Sequence, residues 1–477
     1  MSNRLVKNSV IYSIIQILQK AMGFFLLPVY TRFLCTEDLG KANIVLSVVS
    51  FLGIFCSLGL SSAGTRYTYE ARGEAEGVRI LWGTIFWFSL PYSLASTAVL
   101  FLFIKPLGTF FAPGVSVYPL LALGFVSVAL NPTFVLFQSK LQAEQRGMAF
   151  GITNFVFFLV NTASTVIFLA VFRLKAESLV LAYAITNAIF FIYTLVAFPR
   201  EIKTVIDGPT LRKVFRYSLP LLPHMLAGWT IGMIDKLFLN SMSGAGSVGV
   251  YTVGFQVANV LGTLTLAVNQ AFGPWFFEQV TRGEEGFRRS RTVTRLIIWF
   301  YGGCALFAGL FGPEILRIMT TDAYHGGWTV IPLLLAGFSF NGIYYCVVGP
   351  LFLNKTALVP IITFVSAGVG LVGNLALIPV LGMEGAALAS LAANLAGAVL
   401  ASVLSAAATK HSLGGVELYS IPTAMLILSS IVYLPFVRES AFGLFLRMAI
   451  FLATAVFAFF ANRKDLPELI GVLRKRR

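Results

Sequence analysis

About fourteen long apolar stretches follow one another along this chain of 477 residues. Each holds roughly 20 apolar residues, the length that crosses a bilayer as a helix. Hydrophobic residues make up 57% of the chain and charged residues only 12%, which leaves little mass for a soluble domain. The sequence therefore predicts an all-α polytopic membrane protein with about 14 transmembrane helices. The predicted spans are 10–34, 39–65, 80–104, 115–139, 149–173, 177–198, 217–240, 248–277, 293–311, 327–353, 357–380, 384–408, 418–437 and 441–461.

The basic residues are unevenly divided between the two sets of connecting segments. Of the 35 Lys and Arg residues, 25 lie in the set that includes the N-terminus and the C-terminal tail, or at the span ends next to it. The opposite set, again with the adjoining span ends, holds Arg32, Lys41, Lys105, Arg173, Lys175, Arg317 and Arg438. By the positive-inside rule, this asymmetry predicts that both termini are cytoplasmic in a multi-pass protein of the inner (plasma) membrane. It also accounts for the net charge of +15, so membrane lipid is the expected partner and nucleic acid is not.

The two halves of the chain resemble each other at a nearly constant offset. Tyr12-Ser13 matches Tyr217-Ser218, Phe33-Leu34 matches Phe238-Leu239, and Arg72-Gly73-Glu74 matches Arg282-Gly283-Glu284. Six predicted helices separate the copies, and this even number gives both copies the same orientation. We therefore predict two parallel six-helix lobes, residues 1–200 and 201–410, around a central cavity. Residues 411–477 then form two additional helices and a basic cytoplasmic tail.

A polar stripe marks the second predicted span and its repeat-mate, the eighth. Asn43, Ser47, Ser50, Ser57 and Ser61 recur at helical spacing on one face. Adding 209 gives Thr252, Gln256, Asn259, Leu266 and Gln270, of which four are polar. Serines also stabilise ordinary helix–helix contacts in membranes, so packing is one interpretation of the first stripe. For Gln256, Asn259 and Gln270 we favour a water-filled cavity, since larger amides are harder to satisfy in a tight interface.

No enzyme signature occurs in the sequence. There is no phosphate-binding loop, and the three His and four Cys residues lack metal-ligand spacing. No connecting segment on the outer side is long enough for a catalytic platform. The expected protein is therefore not an enzyme and carries no cofactor, although proton or Na⁺ coupling stays open.

Lys20 is the charged residue nearest the middle of a predicted span, with Gln16 on the same helical face. A charge at the bilayer centre costs about 2.5–3.5 kcal/mol on insertion scales. Lys20 is therefore expected either to form an ion pair inside the bundle or to face a cavity that binds an anionic substrate. Asp235 and Lys236, late in the seventh span, are candidates for ion coupling and substrate binding, with simple interfacial placement as the alternative.

Three arginines also lie in or beside predicted spans. Arg66 and Arg295 are at the inner ends of helices, where snorkelling to the interface is the default. Arg447 lies within the last span. We assign none of the three to the predicted substrate site.

Several segments together resemble the Wzx-type polysaccharide flippases of the multidrug/oligosaccharidyl-lipid/polysaccharide superfamily. They are Gly23–Leu34 (GFFLLPVYTRFL), Asp38–Gly40 (DLG), Leu58–Leu60 (LGL), Asn374–Pro379 (NLALIP) and Gly385–Ser390 (GAALAS). The resemblance implies alternating access of a V-shaped cavity between the two lobes, with the last two helices forming a lipid-facing groove. Related lipid II flippases have an arginine in the first helix just before a Gly-Phe pair, and Lys20 is at the matching position here.

The resemblance implies a transporter for an undecaprenyl-pyrophosphate-linked oligosaccharide, moved from the inner to the outer leaflet for O-antigen, capsule or exopolysaccharide synthesis. Lys20 and Lys236 would bind the pyrophosphate, while Gln16, Gln256, Asn259 and Gln270 would bind sugars. Polysaccharide polymerase machinery is an expected partner. The alternatives are a multidrug or cation-coupled exporter of the same superfamily, and a membrane polysaccharide polymerase or ligase.

Overall fold

The computed structural model describes residues 23–71, 74–409 and 413–465, and every regular element within these ranges is helical. Short 3-10 or π turns connect several of the α-helices. The helices are α1 Leu27–Phe33, α2 Thr36–Ser57, α3 Leu60–Glu70, α4 Ala75–Leu102, α5 Ile104–Phe111, α6 Ala122–Ala143, α7 Gly147–Ala170, α8 Glu177–Ala197, α9 Gly208–Ser218, α10 Leu222–Ser243, α11 Ala245–Val280, α12 Glu284–Leu310, α13 Gly312–Met319, α14 Ile331–Val347, α15 Gly349–Asn354, α16 Leu358–Leu381, α17 Met383–Thr409, α18 Glu417–Ser429, α19 Pro435–Glu439 and α20 Ala441–Asn462.

Eleven helical segments of the described residues are long and apolar enough to cross a membrane. The predicted seventh span corresponds to α10, which has 22 residues but carries Asp235 and Lys236. The predicted thirteenth span corresponds to the shorter apolar helix Glu417–Tyr433. Most of the predicted first span lies outside the described residues. The prediction of an all-α polytopic membrane protein is therefore confirmed.

The second predicted span, 39–65, is two helices rather than one. The chain bends between α2 and α3 at Leu58 and Gly59, which have φ values of 51° and 62°. A left-handed conformation costs a residue with a Cβ about 1–2 kcal/mol, and glycine avoids that cost. A Cβ on Gly59 would also lie 3.2 Å from the Met225 Sδ atom. The bend therefore depends on the glycine at its centre.

Two glycines related by the predicted offset of 209 make matching close contacts. A Cβ on Gly40 would lie 1.8 Å from the carbonyl oxygen of Ala245, and one on Gly249 would lie 1.9 Å from that of Thr36. Thr36 and Ala245 are also 209 residues apart. Such a reciprocal contact is what a two-fold axis between repeat copies produces. The first turns of α2 and α11 approach this closely only because neither glycine has a side chain.

The chain forms two compact units. Of the described residues, the first unit contains 29–229 and 236–249, and the second contains 23–28, 230–235 and 250–465. The residues of α10 are divided between the two. The boundaries predicted from the repeat, at residues 200 and 410, stay predictions.

Candidate functional site

A cavity of about 470 Å³ lies within the first unit, between α2, α6 and α8. Its lining combines aliphatic side chains with hydroxyl and amide groups, and we call it the serine-lined cavity. The lining residues are Leu46, Val49, Ser50, Gly53, Ile54, Ser57, Ser127, Val128, Asn131, Pro132, Val135 and Tyr183. In the part of the chain that the structure describes, no atom lies within 4 Å of a Cβ placed on Gly53, so the open space reaches the α2 backbone.

The polar groups of this cavity are held by neighbouring side chains. Asn131 donates through Nδ2 to Oδ1 of Asn187 at 2.7 Å, and Asn187 is only 1% exposed. Ser50 accepts a hydrogen bond of 2.9 Å from the indole Nε1 of Trp229. The Phe51 ring lies 4.8 Å from the Trp229 ring. These contacts orient hydroxyl and amide groups that can both donate and accept, as binding of a neutral polar ligand requires.

A larger cavity of about 850 Å³ lies within the second unit. Its lining is almost wholly apolar, and we call it the apolar cavity. It is lined by Phe24, Phe25, Val257, Val260, Leu261, Leu264, Leu296, Trp299, Phe300, Gly303, Cys304, Phe307, Ala308, Ile315, Leu335, Phe451, Ala455, Ala458, Phe459 and Asn462. Gly303 faces open space, because a Cβ placed on it has no atom of the described residues within 4 Å. The lining residues of α12 alone span twelve helical steps, or about 18 Å.

The apolar cavity extends along an antiparallel pair of helices, α12 and α20. Four contacts fix their register. At one end, the main-chain oxygen of Leu310 accepts a 2.8 Å hydrogen bond from Arg447. Farther along, the ring centroids of Phe307 and Phe451 are 5.5 Å apart, and those of Trp299 and Phe457 are 6.0 Å apart. At the other end, Arg295 forms a hydrogen bond with Asp465. The residue numbers fall along one helix as they rise along the other. Of the described residues of α20, only Gly443, Arg447 and Asn462 are buried, and Phe451, Ala455, Ala458 and Phe459 line the cavity beside α12.

An arginine lies at each end of this helix pair. At one end, Arg447 is 1% exposed and forms a bidentate ion pair with Glu314, at 2.7 and 2.8 Å. At the other end, Arg295 donates through Nη2 to Oδ2 of Asp465, and its side chain is 32% exposed. The buried bidentate pair fastens α20 to α13. The second pair is more accessible to solvent and to ligands.

The predicted site residues do not lie together: two are outside the described residues, one is in the first unit and four are in the second. Lys20 and Gln16 lie outside the described residues. Lys236 is buried in the first unit, at 6% exposure. The other predicted site residues belong to the second unit: Asp235, Gln256, Asn259 and Gln270.

Asp235 is 2% exposed and accepts a hydrogen bond from the Tyr251 hydroxyl. Gln256 and Asn259 are partly buried, whereas Gln270 is exposed. None of these three amides lines the apolar cavity, which takes the adjacent face of α11 at Val257, Val260, Leu261 and Leu264.

Arg66, at the end of α3, is exposed and contacts an acidic and an aromatic partner. Its Nε atom lies 3.0 Å from Glu70, and its guanidinium carbon lies 4.6 Å from the Tyr217 ring centroid. The hydrogen bond from Arg66 lowers the pKa of the Glu70 carboxyl, with a further contribution from Lys213. Because Arg66 already pairs with Glu70 and lies outside both cavities, we do not include this cluster in the site.

The apolar cavity was not predicted from the sequence as a defined set of residues. Its lining is mostly Leu, Phe, Val and Ala, the same residue types that fill helix contacts and lipid-facing surfaces, so composition carries no signal for it. Asn131 was also missed, although a single amide within an otherwise apolar stretch is a usable indication of a polar contact.

The amino-acid sequence is similar to that of a known protein family and of two known proteins. A profile described as polysaccharide biosynthesis protein matches residues 5–280. An uncharacterized membrane protein of Haemophilus influenzae is 22% identical over 286 residues, covering 58% of this chain and 67% of the relative. The Lsg locus putative protein 1 of the same species is 22% identical over 323 residues, covering 66% of this chain and 74% of the relative.

Solved transporter structures share the fold. The lipid II flippase MurJ, in an inward closed conformation, superposes with a TM-score of 0.75 at 15% identity, covering 97% of this chain and 99% of that one. A point mutant of the Vibrio cholerae MATE transporter VcmN gives a TM-score of 0.61 at 18% identity, covering 87% and 98%. At these identities the likeness shows the fold alone.

Fold and cavities together define a multi-pass membrane protein with the architecture of MurJ and the MATE transporters. The chain belongs to the polysaccharide biosynthesis protein family, because the matched segment covers more than half of its length. The resemblance predicted from the sequence motifs is thereby confirmed.

Proposed function

We propose that this protein moves a polyprenyl-pyrophosphate-linked oligosaccharide from the inner to the outer leaflet of the membrane. The apolar cavity of the second unit is the observation that carries this proposal. Its volume of about 850 Å³ and its apolar lining match a hydrocarbon ligand rather than a sugar. Because α20 is largely unburied along its length, a polyprenyl chain can enter from lipid without unpacking a tight helix interface.

The serine-lined cavity of the first unit supplies the contrasting chemistry. Ser50, Ser57, Ser127, Asn131 and Tyr183 present hydroxyl and amide groups to a space of about 470 Å³. Sugar hydroxyls both donate and accept hydrogen bonds, as these side chains do. We assign this cavity to part of the glycan.

A role for Lys20 and Lys236 in binding the pyrophosphate remains a proposal from the sequence, as do sugar contacts of Gln16, Gln256, Asn259 and Gln270. A Lys20→Ala variant with an undiminished translocation rate would refute the role of Lys20.

The test is a leaflet-translocation assay with the full chain in proteoliposomes and a fluorescent polyprenyl-pyrophosphate oligosaccharide. Gly303→Trp places an indole in the apolar cavity, while Gly303→Ala adds one methyl group to the same open space. We expect Gly303→Trp to remove most of the translocation and Gly303→Ala to retain it.

Equal rates for Gly303→Trp and wild type would refute the use of this cavity. Wild-type protein that moves a cationic dye but no lipid-linked sugar would instead identify a multidrug exporter.

Coupling to protons is a further part of the proposal, and Asp235 is its candidate residue. The carboxylate is buried and bonded to the Tyr251 hydroxyl, so it can gain and lose a proton away from bulk water. An inside-negative potential alone favours outward movement of an anion by about 2.3 kcal/mol per charge per 100 mV. If protons contribute beyond that potential, Asp235→Asn removes the dependence of translocation on an imposed pH gradient at fixed potential. A wild-type rate that is insensitive to the gradient contradicts coupling.

A further inference from the structure

We propose that Arg295, at the Asn462 end of the apolar cavity, binds the phosphate of the polyprenyl lipid, and that Asp465 occupies this position on the guanidinium when no lipid is bound. The inference rests on the proposed function, since it assigns the headgroup of a lipid whose chain lies in the cavity. It adds a cationic site that the sequence-based assignment of the pyrophosphate to Lys20 and Lys236 does not contain.

The position of Arg295 follows from the register of α12 and α20. Leu296 and Asn462 both line the cavity, and Arg295 lies next to Leu296 while its partner Asp465 follows Asn462 by one helical turn. A chain seated along Leu296, Trp299 and Gly303 therefore has one end beside Arg295. On the predicted topology this is the cytoplasmic side, where a lipid-linked sugar is loaded.

The guanidinium of Arg295 has a hydrogen-bond donor that is not satisfied by the described residues. Its Nη2 bonds to Asp465, but its Nε is buried and has no acceptor among residues 23–71, 74–409 and 413–465. A buried donor without a partner is energetically unfavourable, and more so where the group is charged. A phosphate offers several oxygens to the forked guanidinium and can bond to Nε and Nη2 together.

Arg447 shows what a purely structural arginine looks like at the opposite end of the same cavity. Its Nη1 and Nη2 reach both oxygens of Glu314, its Nη1 also bonds to the Leu310 carbonyl, and its Nε donates to the Gly443 carbonyl at 3.4 Å. Nearly complete burial leaves no path for a ligand to displace Glu314. Arg295 differs on both counts: it keeps an unused donor, and its side chain is 32% exposed against 1% for that of Arg447.

The surrounding charge favours an anion at this end. Arg291 and Arg288 lie one and two turns before Arg295 on α12, and both are exposed. Residues three and four apart share a helical face, so these guanidinium groups extend the positive region beyond the cavity.

The experiment measures binding of undecaprenyl phosphate and of the neutral alcohol undecaprenol to the full-length protein, by native mass spectrometry. Both probes have the same hydrocarbon chain, so their affinity ratio isolates the headgroup. Because hydrogen bonds to charged groups contribute about 1.5–3 kcal/mol, we expect wild type to prefer the phosphate by about 10- to 100-fold. Arg295→Gln should bring the two affinities together by weakening only the phosphate, and Arg295→Lys should retain part of the preference.

Asp465→Asn is expected to increase the affinity for the phosphate, an effect that misfolding cannot produce. It removes the competing carboxylate, so the phosphate should bind more tightly while undecaprenol is unchanged. The matched control is Arg289→Gln on the same helix, where the arginine pairs with Glu285 at 3.1 Å, and its affinity ratio should equal that of wild type.

Two kinds of failure are distinguishable. If both lipids bind, Gly303→Trp displaces both, and Arg295→Gln leaves the ratio unchanged, the headgroup assignment is wrong while the proposed function stands. If neither lipid binds wild type, or Gly303→Trp displaces neither, the lipid cavity itself is wrong and the proposed function fails with it.

Discussion

The serine-lined cavity and the apolar cavity differ in which helices enclose them. The first lies among α2, α6 and α8, all within the predicted N-terminal repeat copy. The second combines α11, α12, α13 and α14 of the predicted C-terminal copy with Phe24 and Phe25 of the first predicted span and with α20, which comes after both copies. The first presents hydroxyl and amide groups, whereas the second presents hydrocarbon. In this chain, an added helix coincides with the cavity suited to a lipid chain, and the repeat helices alone enclose the cavity suited to a polar ligand.

The two cavities also differ in how firmly their walls are held. In the serine-lined cavity, side chains from neighbouring helices bond to each other, as Asn131 does to Asn187. Along the apolar cavity, α20 buries three residues, and its polar anchors lie at its ends. A wall whose polar anchors lie at its ends, with apolar ring contacts between them, can admit a long apolar chain. The following predictions break or sharpen this contrast.

The largest effect is expected from detaching α20 at its buried end. Arg447→Ala removes the bidentate partner of Glu314 and the donor to the Leu310 carbonyl. Breaking a buried ion pair from one side costs about 3–5 kcal/mol, and the partial exposure of Glu314 places this pair near the lower limit. The midpoint of thermal unfolding in detergent should fall markedly. Arg289→Ala, which breaks an exposed pair on α12, should leave it nearly unchanged.

A second test concerns what the two repeat copies share. Gly40→Ala and Gly249→Ala each drive a methyl group into a facing backbone carbonyl, at 1.8 and 1.9 Å before any relaxation. Overpacking of this kind costs about 1–3 kcal/mol. The two variants should lose similar stability, as measured by thermal unfolding, because the contact is reciprocal. A large loss for one and none for the other would contradict a two-fold relation at this point; Gly53→Ala, which enters open space, is the matched control.

Filling the serine-lined cavity separates the two proposed ligand regions. Gly53→Trp should leave the binding of undecaprenyl phosphate unchanged, since that lipid has no sugar. The same variant should slow translocation of the complete lipid-linked oligosaccharide in proteoliposomes relative to Gly53→Ala. If Gly53→Trp also abolished binding of the sugar-free lipid, the assignment of the glycan to one cavity and the lipid chain to the other would be wrong.

The smallest effect concerns the hydrogen bond from Trp229 to Ser50. A double-mutant cycle with Ser50→Ala and Trp229→Phe should give a coupling energy of about 0.5–1 kcal/mol, since the bond is neutral and lies in a partly exposed position. Unfolding of the purified protein provides the measurement. A coupling near zero would mean that Phe51 packing alone holds the indole beside the cavity.

Much of the fold could be predicted from the sequence because the membrane imposes a simple rule. Each span must be apolar over about 20 residues and must satisfy its own backbone as a helix. The span 441–461 is observed as Ala441–Asn462, and 248–277 as Ala245–Val280. The exception at Leu58 and Gly59 has a local cause, since one left-handed bend divides an otherwise continuous apolar stretch. Hydropathy averaged over a span is insensitive to such a bend.

The candidate site was less predictable. The polar stripe predicted from helical spacing does contribute Ser50 and Ser57 to a cavity, because spacing alone puts them on one face of α2. Their partners Asn131 and Tyr183 come from other helices, and no local pattern pairs them with α2. Arg295 was predicted to be an interfacial residue, and only the contact with Asp465, 170 positions away, shows its place at the end of a cavity.

The amino-acid sequence alone determined that this chain is a helical membrane protein, where its spans lie and which positions the repeat relates. Those properties depend on residue type and spacing, and both are written along the chain. The tertiary structure decided which apolar surfaces pack together and which remain open. Leu, Phe and Ala have the same hydropathy whether they lie in a helix contact or in a cavity wall. Whether space remains beside Gly303 therefore depends on how α20 packs against α12, which no local pattern records.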